Sequence, residues 1–143
     1  MPYHFLQKSG KGFTLIEMLM VIAIIGLLTA VAMASYGTVQ RKGRDARRME
    51  DMQAIHNALA LFVVANGGVF PISDAPVTIT GTDAFSTMLV NAEAMNVVPR
   101  DSGHPAYTYT YQSDAIGRTY TLSFCLETDS IKNYAQGCDN TIS

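Results

Sequence analysis

One carboxylate, Glu17, stands immediately before a stretch of 23 residues, Met18 to Gln40, that carries no charge. A carboxylate in that position needs a partner if it enters lipid, because an isolated charge there costs several kcal/mol. A few residues earlier lies Gly12-Phe13, a glycine without a side chain beside a large aromatic. The two cysteines, Cys125 and Cys138, are both near the C-terminus. A small, even number in a chain that leaves the cytoplasm suggests one disulfide, the alternative being two unrelated buried thiols. His4, His56 and His104 are far apart, and there is no zinc-ligand spacing, phosphate-binding glycine loop or nucleophile elbow. Asp129 and Asp139 read as solvated loop acids, since the regular calcium-loop spacing is absent. No catalytic residue, metal ligand or cofactor is therefore expected, and an enzyme is the remotest class.

The elements that must position Glu17 follow from the apolar run. As a helix, 23 residues reach about 34 Å at a rise of ~1.5 Å per residue, enough to cross a hydrocarbon core of roughly 30 Å. A chain of 143 residues has room for one small domain and an appendage, and such a domain cannot wrap so long a rod on all sides. A buried helix of a soluble protein is thus disfavoured. A cleaved secretory signal is the competing reading, with Lys8 and Lys11 as the charged region and Ala32-Met33-Ala34 as the cleavage site. The apolar run is longer than such signals use, and Glu17 has no role in one. The net charge of −2 argues against a nucleic-acid partner, because nothing outside residues 41–48 is basic enough to follow a phosphate backbone.

The stretch Lys11-Gly12-Phe13-Thr14-Leu15-Ile16-Glu17, continuing through Ile22-Ala23-Ile24-Ile25-Gly26, resembles the processing site of the type IV pilin and pseudopilin family. The resemblance implies a basic leader cut off on the cytoplasmic side after Gly12. It implies Phe13 as the new N-methylated terminus, and Glu17 as the residue that sets the register between subunits by pairing with a neighbour's N-terminal amine. A second match is Ala58-Leu59-Ala60-Leu61-Phe62 followed by Asn66-Gly67-Gly68 and Phe70-Pro71, which resembles the family's helix end. One departure is Ala34, where the family often has proline, although Tyr36 is kept. A kink in this region would have to come from Gly26 or Gly37.

The basic residues Arg41, Lys42, Arg44, Arg47 and Arg48 outnumber Lys8 and Lys11, so a positive-inside count places the C-terminal side in the cytoplasm. The processing motif places the N-terminus there instead, and it takes precedence. The basic run itself can meet anionic headgroups, meet acidic residues of a neighbour, or form a solvated face.

Beyond the run, Met49, Met52, Ile55, Leu59 and Phe62 recur at steps of three or four. With no proline from residue 13 to 70, one helix is expected from about Thr14 to Ala65, stopped by Asn66-Gly67-Gly68. A short strand is expected at Val77–Thr80, and a helix capped by Asp83 running to about Asn96. Tyr107, Tyr109 and Tyr111 alternate as one strand, and Tyr120, Leu122, Phe124 and Leu126 as a second. These form a hairpin that packs on the helix, with a polar tail after Thr128 pinned by the cysteine pair. The expected fold is α+β: a long N-terminal helix against a small antiparallel sheet, pilin-like. The expected layout is a leader over 1–12, a transmembrane assembly helix over 13–40, and a head over 41–143. Within the head, the amphipathic helix half takes 41–66, a connecting region 67–105, and the hairpin and tail 106–143.

The resemblance implies a structural subunit that waits in the membrane with its N-terminus cytoplasmic and then polymerises with its own copies into an extracellular helical filament. It also implies as partners a prepilin peptidase and methyltransferase, an assembly platform and its ATPase machinery. The nearest alternative is a pseudopilin of a type II secretion or DNA-uptake system. The alternative of a different kind is a secreted soluble domain cleaved after Ala34.

Overall fold

The computed structural model describes residues 12–143; Lys8 and Lys11 of the expected leader, and His4, lie outside them. The chain divides into two compact units, Met1–Gly37 and Thr38–Ser143. One helix, α1 (Leu15–Ala65), contributes to both.

In the first unit α1 is apolar on every side, and its large side chains from Leu15 to Met33 are exposed. It is long and apolar enough to cross a membrane, as the uncharged run requires. The helix is assigned without a break through Gly26, Ala34 and Gly37.

The second unit is the head. Here α1 presents the expected stripe: Met52, Ile55, Ala58 and Leu59 are buried, while Met49 and Phe62 pack partly against the same core. The helix ends where the glycines stop it. The amide of Gly68 donates to the Val63 carbonyl at 2.9 Å, and Gly67 takes φ +69°, the left-handed cap that favours glycine.

Four antiparallel strands lie in the order β1 (Val77–Ile79), β2 (Tyr109–Ser113), β3 (Tyr120–Leu126) and β4 (Gly137–Ile142). In β2, Tyr109 and Tyr111 point inward; in β3, Tyr120, Leu122, Phe124 and Leu126 do so, as their alternation predicts. The Phe85 ring stacks on Tyr111, with centroids 4.1 Å apart. Gly117, in the β2–β3 turn at φ +64°, lies so close to the α1–β1 connection that an added Cβ would sit 2.5 Å from Val69 Cγ1.

The structure corrects three expectations. The tail is not a loop throughout, since it closes the sheet as β4. Leu122 is paired with Ile142 and Phe124 with Asn140, and Cys125 is bonded to Cys138 across the same two strands. Its signal is weak because β4 is an edge strand that buries only Asn140 fully. The helix capped by Asp83 is shorter than expected: α2 covers Ala84–Asn91. It ends when Glu93 adopts φ 55° and the Ala94 amide donates to the Leu89 carbonyl at 3.0 Å. A non-glycine residue in that cap gives no sequence cue, and Met95 still reaches the core from the following turn. Tyr107 falls outside β2 and serves a different purpose, described below.

Candidate functional site

Two constellations carry the chemistry. The first opens α1. Glu17 Oε2 accepts from the Thr14 amide at 2.8 Å and from Thr14 Oγ1 at 2.8 Å, while the Glu17 amide donates back to Thr14 Oγ1 at 3.3 Å. This reciprocal pair satisfies amides that the first helical turn leaves without partners. Within one chain, then, Glu17 caps its own helix. The Thr-x-x-Glu spacing was available in the sequence as a capping box, and the role of Thr14 was missed. Gly12 and Phe13 precede the helix and are exposed, Phe13 to 80%.

The second constellation joins α1 to the sheet within the head. Arg48 is fully buried, although its place in a basic run suggested a lipid-facing or solvated residue. Its Nε donates to Asp101 Oδ2 at 2.7 Å and its Nη2 to Asp101 Oδ1 at 3.3 Å, while Nη1 donates to Asp45 at 2.8 Å and Glu127 at 2.9 Å. The Tyr107 ring lies 4.5 Å from the guanidinium carbon, and a planar cation suits that face. Gly103 makes room here: a Cβ would stand 2.8 Å from the Tyr107 ring and 3.2 Å from Arg48 Nη2.

Arg44, one turn earlier, grips Glu127 through Nε at 2.8 Å and Nη2 at 2.5 Å. Asp45 in turn accepts from the Glu127 amide at 2.8 Å and the Thr128 hydroxyl at 2.7 Å. No buried side-chain polar atom among the described residues is left unpaired. That completeness lets a buried ionic group be tolerated at all. The Arg44 hydrogen bonds, then those from Arg48, hold the Glu127 carboxyl at about 2. The pairing holds Arg48 and Arg44 above the ordinary arginine value, against the pull of burial. The three carboxylates are each paired with an arginine and further hydrogen-bonded within the head, and no group of three or more metal-ligating residues able to hold an ion occurs among the described residues.

The remaining singled-out residues are dispersed. His56 Nδ1 lies 2.5 Å from the Tyr120 hydroxyl, His104 is exposed, and Asp129 accepts from the Gln136 amide at 2.6 Å.

Gly12-Phe13, the capping Glu17 and the exposed apolar turns of α1 that follow are the features that resemble a prepilin processing site. In agreement, the family model of the prokaryotic N-terminal methylation motif matches residues 7–33. The type II secretion system core protein G of Aeromonas hydrophila is 27% identical over 133 residues, which span 93% of this chain and 86% of that protein. A fimbrial protein of Pseudomonas aeruginosa is 39% identical over 52 residues, 36% of this chain and 34% of that one. Fimbrial protein Q of Moraxella bovis is 44% identical over 58 residues, 39% of this chain and 37% of that one. No solved structure matches the chain significantly.

Proposed function

We propose that the chain is a structural subunit of a type IV pilus-like filament, made as a precursor and polymerised through α1. The leader, residues 1–12, is removed between Gly12 and Phe13 by a prepilin peptidase, and the new Phe13 amine is methylated. Residues 13–40 then hold the subunit in the membrane with the N-terminus cytoplasmic, and the head, residues 41–143, lies on the far side. An assembly platform and its ATPase extract subunits into the filament, where Glu17 exchanges its own Thr14 for the Phe13 amine of a neighbouring copy. Removing some twenty apolar residues per subunit from water drives the packing once the helix leaves lipid.

The observation that carries this reading is α1 itself, apolar and exposed from Leu15 to Met33 yet opened by a carboxylate that its own chain holds in place. The Ala34–Ser35 bond, which a secretory signal would need cut, lies inside α1. The test is the N-terminal residue of the protein recovered from cells. A methylated Phe13 is expected, and Ser35 would end the reading.

A second reading, a pseudopilin of a type II secretion system, is favoured by one specific observation. The type II secretion system core protein G of Aeromonas hydrophila matches along 93% of the chain, whereas the fimbrial proteins of Pseudomonas aeruginosa and Moraxella bovis match little more than a third of it and fimbrial protein EcpC of Eikenella corrodens 65%. Filaments in sheared cell-surface material support the pilus. Their absence, together with loss of protein secretion on deletion of the gene, supports the pseudopilin.

A further inference from the structure

Within the head, α1 borders an open groove of about 670 Å³. Gly43 and Ala46 form its helical floor, Val97 a wall, and Glu50, Asp51 and Arg47 its charges. Val97 is 73% exposed, and none of the described residues covers it. Asp51 is half-buried and spends one carboxylate oxygen on the Tyr109 hydroxyl at 2.8 Å; the other makes no hydrogen bond among the described residues. Burial pushes this carboxyl above the ordinary aspartate value, against the Tyr109 bond and Arg47. Such a carboxylate is one that a further cation would relieve.

The cations are on the same helix. Arg44 and Arg48 are consumed by the clamp they form with Asp45, Asp101 and Glu127, but Arg41 and Lys42 are exposed and form no ion pair among the described residues. They cannot reach Glu50 and Asp51 of their own chain, because helix neighbours meet three or four residues apart, not nine. At about 100° per residue, they also stand a quarter to a half turn around the axis from those acids. Donor and acceptor are therefore different patches on one molecule. Contacts of that kind repeat in one direction and build open helical arrays instead of closed dimers.

We propose that Arg41 and Lys42 of one copy seat in the Glu50–Asp51 groove of a second, parallel copy displaced by about 13 Å along the helix axis, nine residues at ~1.5 Å each. Val39, exposed one turn before Lys42, brings apolar surface to the groove that Val97 walls. The inference rests on the filament reading above and adds to it a second, head-level contact. That contact joins a different pair of neighbours from the Glu17 contact, whose offset along the axis is about 6 Å by the same rise.

The test uses the full chain in cells that assemble it. Lys42→Cys and Glu50→Cys are combined, and sheared polymer is treated with a short bis-maleimide, to which the bonded Cys125 and Cys138 do not react. A ladder of covalent multimers is expected from the pair and from neither single variant. In parallel, Lys42→Glu and Glu50→Lys should each lower polymer yield by at least about tenfold, and the two combined should recover it. Protease resistance of the head serves as the control for folding. Wild-type polymer yield from both single reversals, with no ladder, would overturn the inference and leave the filament reading standing. Loss on Lys42→Glu that Glu50→Lys does not recover would also overturn it, assigning Lys42 to another partner such as anionic headgroups. If the wild-type chain forms no polymer, the filament reading itself falls, and the inference with it.

Discussion

Arg48 and Asp101, 53 residues apart in sequence, face each other with two parallel hydrogen bonds of 2.7 and 3.3 Å. This pair fastens α1 to the loop that leads into β2, and Glu127 at the end of β3 shares the same guanidinium. Fork-to-fork geometry makes such pairs both strong and directional.

Arg48→Met should therefore destabilise the head by about 3–5 kcal/mol, since it leaves Asp45 and Asp101 buried without a cation. Arg48→Lys should recover less than half of that, because a single ammonium cannot serve three carboxylates or lie flat on Tyr107. Urea unfolding of the detergent-solubilised chain measures both.

Acid should loosen the same joint. Glu127 has an ordinary value of 4.5 and is held at about 2 in the fold, first by Arg44 and then by Arg48. A carboxyl depressed in this way stabilises the fold fully above its unfolded value and loses that contribution as the pH falls from about 4.5 through about 2. Asp51 works in the opposite sense, because burial raises it, and protonation relieves it. Stability should fall across that acid window, and Arg44→Met should shrink the fall; thermal unfolding followed at stepped pH checks this.

Substitution separates the cap that Glu17 makes from the pairing with a neighbour's amine proposed for it. Thr14→Ala removes one half of the cap and should cost about 1 kcal/mol of helix stability, leaving the charge in place. Glu17→Gln keeps a side chain that can reach the Thr14 amide but has no charge for a neighbour's amine. Membrane insertion and cleavage at Gly12 should survive in both. Polymer should be lost with Glu17→Gln and only reduced with Thr14→Ala, as quantified from sheared material.

Replacing Cys125 and Cys138 together by alanine should cost on the order of 3 kcal/mol, by the entropy of the loop they close. The loss should be local. Amide exchange should rise in β4 far more than in β2, because β4 is an edge strand with one neighbour.

Much of this was readable in advance, for identifiable reasons. The span of α1 followed from the absence of proline and the Asn66-Gly67-Gly68 stop. The inward faces of β2 and β3 followed from strict alternation at Tyr109, Tyr111, Tyr120, Leu122, Phe124 and Leu126. The clamp was not readable. Arg48 sits among four other basic residues, and only the fold brings Asp101 and Glu127 to it across gaps of 53 and 79 residues. The β4 strand was hidden for a related reason: an edge strand with one fully buried residue has little hydrophobic pattern to show. Thr14 is different, since its capping pattern is local and complete in four residues, Thr14 to Glu17.

The clamp also has a mechanical meaning. Along the chain, Arg44, Asp45 and Arg48 are the first residues after the apolar run that bond to the rest of the head. A pull on residues 15–40 therefore arrives at these side chains before it reaches the core stripe at Met52 and beyond. Several bonds share that load, toward the loop at Asp101 and the strand end at Glu127. In the filament proposed above, this joint stands between the apolar helix and the sheet as the first set of bonds to carry traction.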